Sequence, residues 1–132
     1  MENKRITSFR DLEVYQNTYK TCVRVMTEVL PKLPGSEKYD LKDQLSRSVK
    51  AIPRLIAEGY AKRHQKMGFQ KYLDDAMAEC NETIVGLEMC RDIYRDKVDT
   101  PVLVELIDIY DKAGRQLYNL AKAWSKFKTR KT

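Results

Sequence analysis

The 132-residue chain is 42% apolar and 33% charged, which suits one domain with a hydrophobic core and excludes compositional disorder or two independent domains. Its 25 Lys and Arg against 19 Asp and Glu leave a formal charge of +6, which favours anionic partners without naming one. With 5 Gly and 4 Pro, punctuation is too sparse for a hairpin-rich protein, so the composition is helical. Apolar runs such as Leu55-Ile56-Ala57 and Val102-Leu103-Val104 stop at three residues, whereas a membrane span needs about 20. The start, Met1 to Ile6, is charged and lacks the apolar core of a secretory signal, so a cytoplasmic location is expected. Cys22, Cys80 and Cys90 are odd in number and lack C-x-x-C spacing, and they read as reduced core residues.

The first predicted helix runs from about Ser8 to Leu33, with Ser8 as N-cap and Asp11 three residues on. Leu12, Tyr15, Tyr19, Cys22 or Val23, Met26, Val29 or Leu30, and Leu33 mark its expected core face, leaving Val14 and Val25 on the outer side. Pro31 distorts the last turn and Pro34-Gly35-Ser36 ends the helix. The second helix starts at Asp40 as N-cap, turns Leu41, Leu45, Val49, Ile52, Ile56 and Gly59 inward, and fades from Arg63 to Lys66. Pro53 in its middle removes one backbone hydrogen bond, and a kink is expected. Gly59 marks either a close helix approach or a break.

A third helix spans roughly Phe69 to Asp96, with Leu73, Ala76, Cys80, Ile84, Leu87 and Tyr94 on one side. In the fourth, Thr100-Pro101 reads as N-cap and first helical residue. Leu103, Leu106, Tyr110, Ala113, Leu117, Leu120, Trp124 and Phe127 then recur at threes and fours. The expected fold is all-α: one antiparallel up-down-up-down four-helix bundle over residues 1–132, with a kinked second helix, a lead at 1–7 and a basic tail at 128–132.

Charge is unevenly spread. Asp40 to Lys66 has seven basic residues against three acidic, a net of +4, while Phe69 to Asp96 reverses this to −4. Arg47, Lys50 and Arg54 fall at i, i+3 and i+7, opposite the apolar stripe, and Lys62, Arg63 and Lys66 extend them. Such a stripe suits a phosphate backbone, as do Lys126, Lys128, Arg130 and Lys131 at the end. The other reading is a solvated face exchanging ion pairs with the acidic helix, within or between subunits. Tyr39 and Tyr60 flank the stripe but are too few to define a stacking surface.

No catalytic constellation emerges. His64, the single histidine, sits among Lys62, Arg63 and Lys66, whose charge disfavours an imidazolium, and it reads as a solvated loop residue. The inward Glu-x-x-His pairs of carboxylate-bridged metal bundles do not occur, and Asp74, Asp75, Glu79 and Glu82 read as an acidic outer face. Neither phosphate-loop nor dinucleotide motifs are present. Tyr15 and Tyr19 suit core edges or subunit contacts. Neither enzyme activity, metal nor cofactor is expected.

The run from Gln44 to Tyr60, QLSRSVKAIPRLIAEGY, resembles the signature Q-L-x-R-x-x-x-S-I-P-x-N-I-A-E-G-[FY] of the four-helix-bundle family of 23S rRNA intervening-sequence proteins. Ser8 to Gln16 is similar to that family's opening, and Phe69, Tyr72, Leu73, Ala76 and Glu82 to its third helix. Ala51 and Leu55 depart from the pattern, standing where Ser and Asn are usual. The resemblance gives Ile52, Pro53, Ile56, Ala57, Glu58 and Gly59 structural roles: core contact, bend and close packing, with Glu58 suited to Lys62 at i+4. It also implies a ring, typically a homopentamer, without enzymatic activity. Relatives include the accessory variability determinant of diversity-generating retroelements, which binds nucleic acid and a reverse transcriptase.

The function expected on these grounds is a non-catalytic oligomer binding RNA or a nucleoprotein partner through basic surfaces, with DNA as another polyanion. The alternative is a scaffold or accessory subunit that recruits a separately encoded enzyme such as a reverse transcriptase, using outward apolar residues such as Val14, Val25 or Ile109.

Overall fold

A computed structural model describes residues 5–131, with side chains through Ser125. The described residues are helical, with no strand among them. The entrance is closed by Asp11, whose Oδ2 accepts the N–H groups of Thr7 at 2.9 Å and Ser8 at 3.0 Å. Ser8 Oγ accepts from the Arg10 N–H at 3.2 Å, completing a capping box on the 3-10 turn Phe9–Asp11.

Helix α1 follows over Glu13–Arg24 and then changes pitch. Val25–Val29 forms a π turn, closed by the Leu30 N–H donating to the Val25 carbonyl, and Leu30–Lys32 tightens to 3-10. Pro31 sits in this region; it has no N–H to donate, and its ring crowds the preceding turn.

The inward face of α1 differs from the expected one. Val14, Thr18, Thr21 and Val25 are buried, whereas Tyr19 and Val23 are 54% and 47% exposed. Two threonines disguise the buried stripe. Thr18 Oγ1 donates to the Val14 carbonyl at 2.8 Å and Thr21 Oγ1 to the Asn17 carbonyl at 2.6 Å, so both hydroxyls are satisfied within the helix and can be buried. Val14 and Val25 are therefore core residues and unavailable to a partner, and Ile109 is half-buried.

A 3-10 turn, Gly35–Glu37, leads into α2, Leu41–Ala61. Asp40 precedes the helix without capping it; Glu37 Oε1 accepts the Leu41 N–H at 3.1 Å instead. Glu37 also accepts a hydrogen bond from the Tyr94 hydroxyl at the far end of α3, Gly68–Ile93. Helix α2 runs unbroken through Pro53, with Leu41, Leu45, Val49, Ile52, Ile56 and Gly59 buried as predicted. Helix α4 spans Thr100–Lys131.

Helix α3 packs along α2 and α4, and α1 along the same two, so α1 and α3 occupy opposite corners. Two glycines bring α2 and α3 into close approach. A Cβ at Gly59 would lie 2.6 Å from Tyr72 Cβ, and one at Gly86 2.7 Å from Leu45 Cδ2. Between these points Thr83 Oγ1 donates to Ser48 Oγ at 2.8 Å inside the core. Gly59 thus marks a close approach, with the helix intact around it.

Two outcomes are expected. Gly59→Ala forces two Cβ atoms apart and should lower urea-unfolding stability by about 1–3 kcal/mol, whereas Gly114→Ala, where a Cβ meets open space, should be neutral or stabilising by up to about 1 kcal/mol. An equal effect at both sites would remove the close-packing argument. Tyr94 and the Leu41 N–H hold the Glu37 carboxyl below its ordinary pKa of about 4.3. Ionised Glu37 therefore stabilises the fold above that value, and the contribution is lost as pH falls through the depressed one. The urea midpoint should drop below about pH 4, and Glu37→Gln should flatten that dependence.

Candidate nucleic-acid interface

With its apolar stripe fixed on the core, α2 turns the opposite face outward. Arg47, Lys50 and Arg54 are all exposed there. Arg47 Nε lies 3.2 Å from Asp43 Oδ2 in an exposed i,i+4 pair, which holds little energy. Lys50 and Arg54 stand one turn apart at the edge of a groove of about 420 Å3 between α2 and the start of α1. Pro53, Ala57 and Cys22 line this groove together with Phe9, Tyr15 and Tyr19. Phe9 and Tyr15 meet edge to face at 4.9 Å, and the rings of Tyr15 and Tyr19 lie 6.1 Å apart at 35°. Burial pushes the Cys22 thiol pKa up, partly offset by the charge of Lys50.

The remaining predicted cations are arranged differently. Lys62 Nζ bonds the Tyr72 hydroxyl at 2.8 Å and lies 5.1 Å from that ring's centroid. Tyr72 raises the Lys62 pKa, and the nearby charge of Glu58 contributes less. The Glu58–Lys62 pairing suggested by their spacing is therefore replaced by a bond to α3. Arg63 Nη1 donates to the Tyr60 carbonyl at 2.8 Å, with its guanidinium 4.0 Å from the centroid of the Tyr60 ring. Both side chains are half-buried and fasten the end of α2. Lys66 and His64 are exposed in the connection to α3. Tyr60 is buried and presents no free face, while Tyr39 is exposed beyond Asp40. Lys126, Lys128, Arg130 and Lys131 lie outside the residues whose side chains are described, as does Phe127.

The two oppositely charged helices touch without neutralising each other. The ion pairs among the described residues join Arg24 to Glu28 and Glu105, Arg47 to Asp43, Arg91 to Asp92, and Arg115 to Asp111. None links α2 to α3. Exchange of ion pairs with the acidic helix of the same chain does not account for Lys50 and Arg54, because those cations face α1 and solvent.

Other reactive groups are unpromising. Burial pushes the Cys80 thiol up to about 12 and the Cys90 thiol to about 11, so neither supplies a thiolate near neutral pH. Among the described residues there is no cluster of three or more His, Cys, Asp or Glu able to hold a metal.

Residues 10–126 match the family model described as 23S rRNA-intervening sequence protein. The chain belongs to this family. Among curated proteins, none matches it. Of the residues that carry the 23S rRNA intervening-sequence signature in this chain, Leu45, Ile52, Pro53, Ile56, Gly59 and Tyr60 are buried, Ala57 is half-buried, and Gln44, Arg47 and Glu58 are exposed. Ala51 and Leu55, the two departures from that signature, are also half-buried. In this member Gly59 of the signature makes the close contact with α3, while Pro53 and Ala57 line the groove beside Lys50 and Arg54.

Sequence periodicity missed the aromatic half of the groove because Tyr15 and Tyr19 mimic a core stripe. Their i,i+4 spacing was the available signal. Because Arg47, Lys50 and Arg54 touch no buried partner, their joint replacement by Glu should leave helix content unchanged and shift stability by about 0.5 kcal/mol or less per site. Circular dichroism with urea titration measures both, and unfolding of the variant would show that the face is structural.

Proposed function

We propose that this family member is a non-catalytic, self-associating cytoplasmic protein that binds RNA, or a nucleoprotein partner, through the outward face of α2. The carrying observation is that Lys50 and Arg54 are exposed beside an aromatic groove, with no carboxylate of the adjoining acidic helix in ion-pair reach. The family's description refers to 23S rRNA, which is compatible with association with nucleic acid. DNA offers the same phosphate chemistry.

The reading includes an up-down-up-down bundle with α2 bent at Pro53. Supporting it, Gly59 meets Tyr72 while Leu45 meets Gly86, and Arg24 meets Glu105 while Gln116 meets Glu13. Rising number on one helix thus pairs with falling number on its neighbour. It also includes assembly into a homopentameric ring. Five copies of a +6 chain carry +30, so individually weak phosphate contacts add.

A second reading, an accessory scaffold for a separately encoded enzyme such as a reverse transcriptase, is favoured by an exposed apolar row on α3. Val85, Met89 and Ile93 recur at i, i+4 and i+8 and are 48%, 45% and 61% exposed.

Fluorescence anisotropy with a labelled RNA of mixed sequence should show affinity falling at least about tenfold between 50 and 200 mM salt. The Arg47→Glu, Lys50→Glu, Arg54→Glu variant should bind far more weakly while remaining folded. Salt-independent affinity, or none, would overturn the nucleic-acid reading. Partner capture that survives the charge reversal but fails in Met89→Asp would establish the scaffold instead.

A further inference from the structure

We propose that the groove between the start of α1 and the middle of α2 holds an unstacked nucleobase, so that the protein selects single-stranded RNA over a duplex of the same sequence. This rests on the nucleic-acid reading above and specifies its substrate. The groove combines two features that a phosphate-binding surface alone does not need. Tyr15 and Tyr19 line it with flat apolar surface over the buried Pro53, and Tyr19 is 54% exposed. Lys50 and Arg54 then place two basic side chains at its edge.

A purely apolar occupant would cover these cations and supply no counter-charge, which is unfavourable. A free anion would leave the aromatic surface in water. A nucleotide of an open strand matches both, because its base has a π-face for Tyr19 and its phosphate reaches Lys50 or Arg54. The volume, about 420 Å3, admits a base with its sugar, and the groove opens to solvent along the exposed side of Tyr19. Paired bases in a duplex are stacked inside the helix and cannot enter, so a duplex engages the cations alone.

The test compares a labelled single strand with its duplex on the intact protein, using Tyr19→Leu, Tyr19→Phe and Lys50→Gln. Tyr19→Leu keeps apolar bulk and removes the π-face. It should weaken single-strand binding about fivefold or more and leave duplex binding within about twofold, while Tyr19→Phe stays near wild type. Tyr19→Leu should not change the dependence of log affinity on log salt, whereas Lys50→Gln should reduce its slope by about 0.7.

Unchanged single-strand affinity in Tyr19→Leu, or an equal loss on the duplex, would overturn the proposal and leave phosphate binding standing. Loss of self-association in Tyr19→Leu, seen by light scattering, would also overturn it, because a second copy would then occupy the groove. Wild-type protein that binds neither probe would remove both this inference and the reading beneath it.

Discussion

The close approach of α2 to α3 sets the rotation of α2 and, through it, the surface the protein presents. Gly59 against Tyr72 and Gly86 against Leu45 leave no room for a Cβ on the facing side, and the Ser48–Thr83 hydrogen bond sits between them in the core. Sliding either helix by a turn would break the Thr83–Ser48 bond, leaving Ser48 only its bond to the Leu45 carbonyl, and would drive Leu45 and Tyr72 against residues that carry a Cβ. Rotation and translation of α2 are therefore both defined. With Leu45, Val49, Ile52 and Ile56 inward, geometry requires Arg47, Lys50 and Arg54 to point away.

That orientation separates charge across the molecule. Basic α2 and acidic α3 are neighbours, yet their contact is made of small and apolar side chains with one hydroxyl pair, and Lys62 reaches α3 through a phenol. Coulomb attraction between the helices is thus spent at longer range, where water and salt weaken it. The tight local pairs lie elsewhere: Arg24 ties α1 to α4 through Glu105, and Glu37 ties the entry of α2 to Tyr94 at the end of α3. The surface cations of α2 remain available because the fold is held by packing that does not use them.

Legibility in the sequence followed the polarity of the buried residues. Helix α2 could be read because its inward positions are nearly all aliphatic, and the resemblance fell on those same residues. Helix α1 could not, because Thr18 and Thr21 take core positions after bonding their own carbonyls, while Tyr15, Tyr19 and Val23 repeat at the same period, rotated by about one residue. A helical period alone does not say which of two competing stripes faces inward; the neighbouring helices decide. At the start of α2 the N-cap position is Asp40 as expected, but the capping bond comes from another side chain. Asp40 has the right residue type in the right place, but Glu37 reaches the same N–H from one turn earlier because Tyr94 anchors its other oxygen. Arg47, Lys50 and Arg54 could be placed outward from the period of the helix, but Lys62 and Arg63, read as extending them, are taken up by Tyr72 and Tyr60, and the aromatic side of the groove required knowing that α1 turns Tyr19 outward beside Lys50.

The mistaken stripe and the candidate interface are consequences of one arrangement. Burying threonines on α1 leaves Tyr15 half-buried at the edge of the core and Tyr19 exposed, and this pair beside a helix carrying free cations is a surface of mixed character. Packing accounts for Tyr15, which sits against the core and the Phe9 ring, but not for Tyr19, which is exposed and could be an ordinary polar residue. Within this chain, then, the residues that depart most from simple amphipathic design on α1 are those that meet Lys50 and Arg54. Their chemistry divides into a part that salt weakens, supplied by the cations, and a part that salt leaves nearly untouched, supplied by the rings. Binding that drew on both would retain a residual affinity at high salt, and its size would measure the contribution of α1 independently of α2.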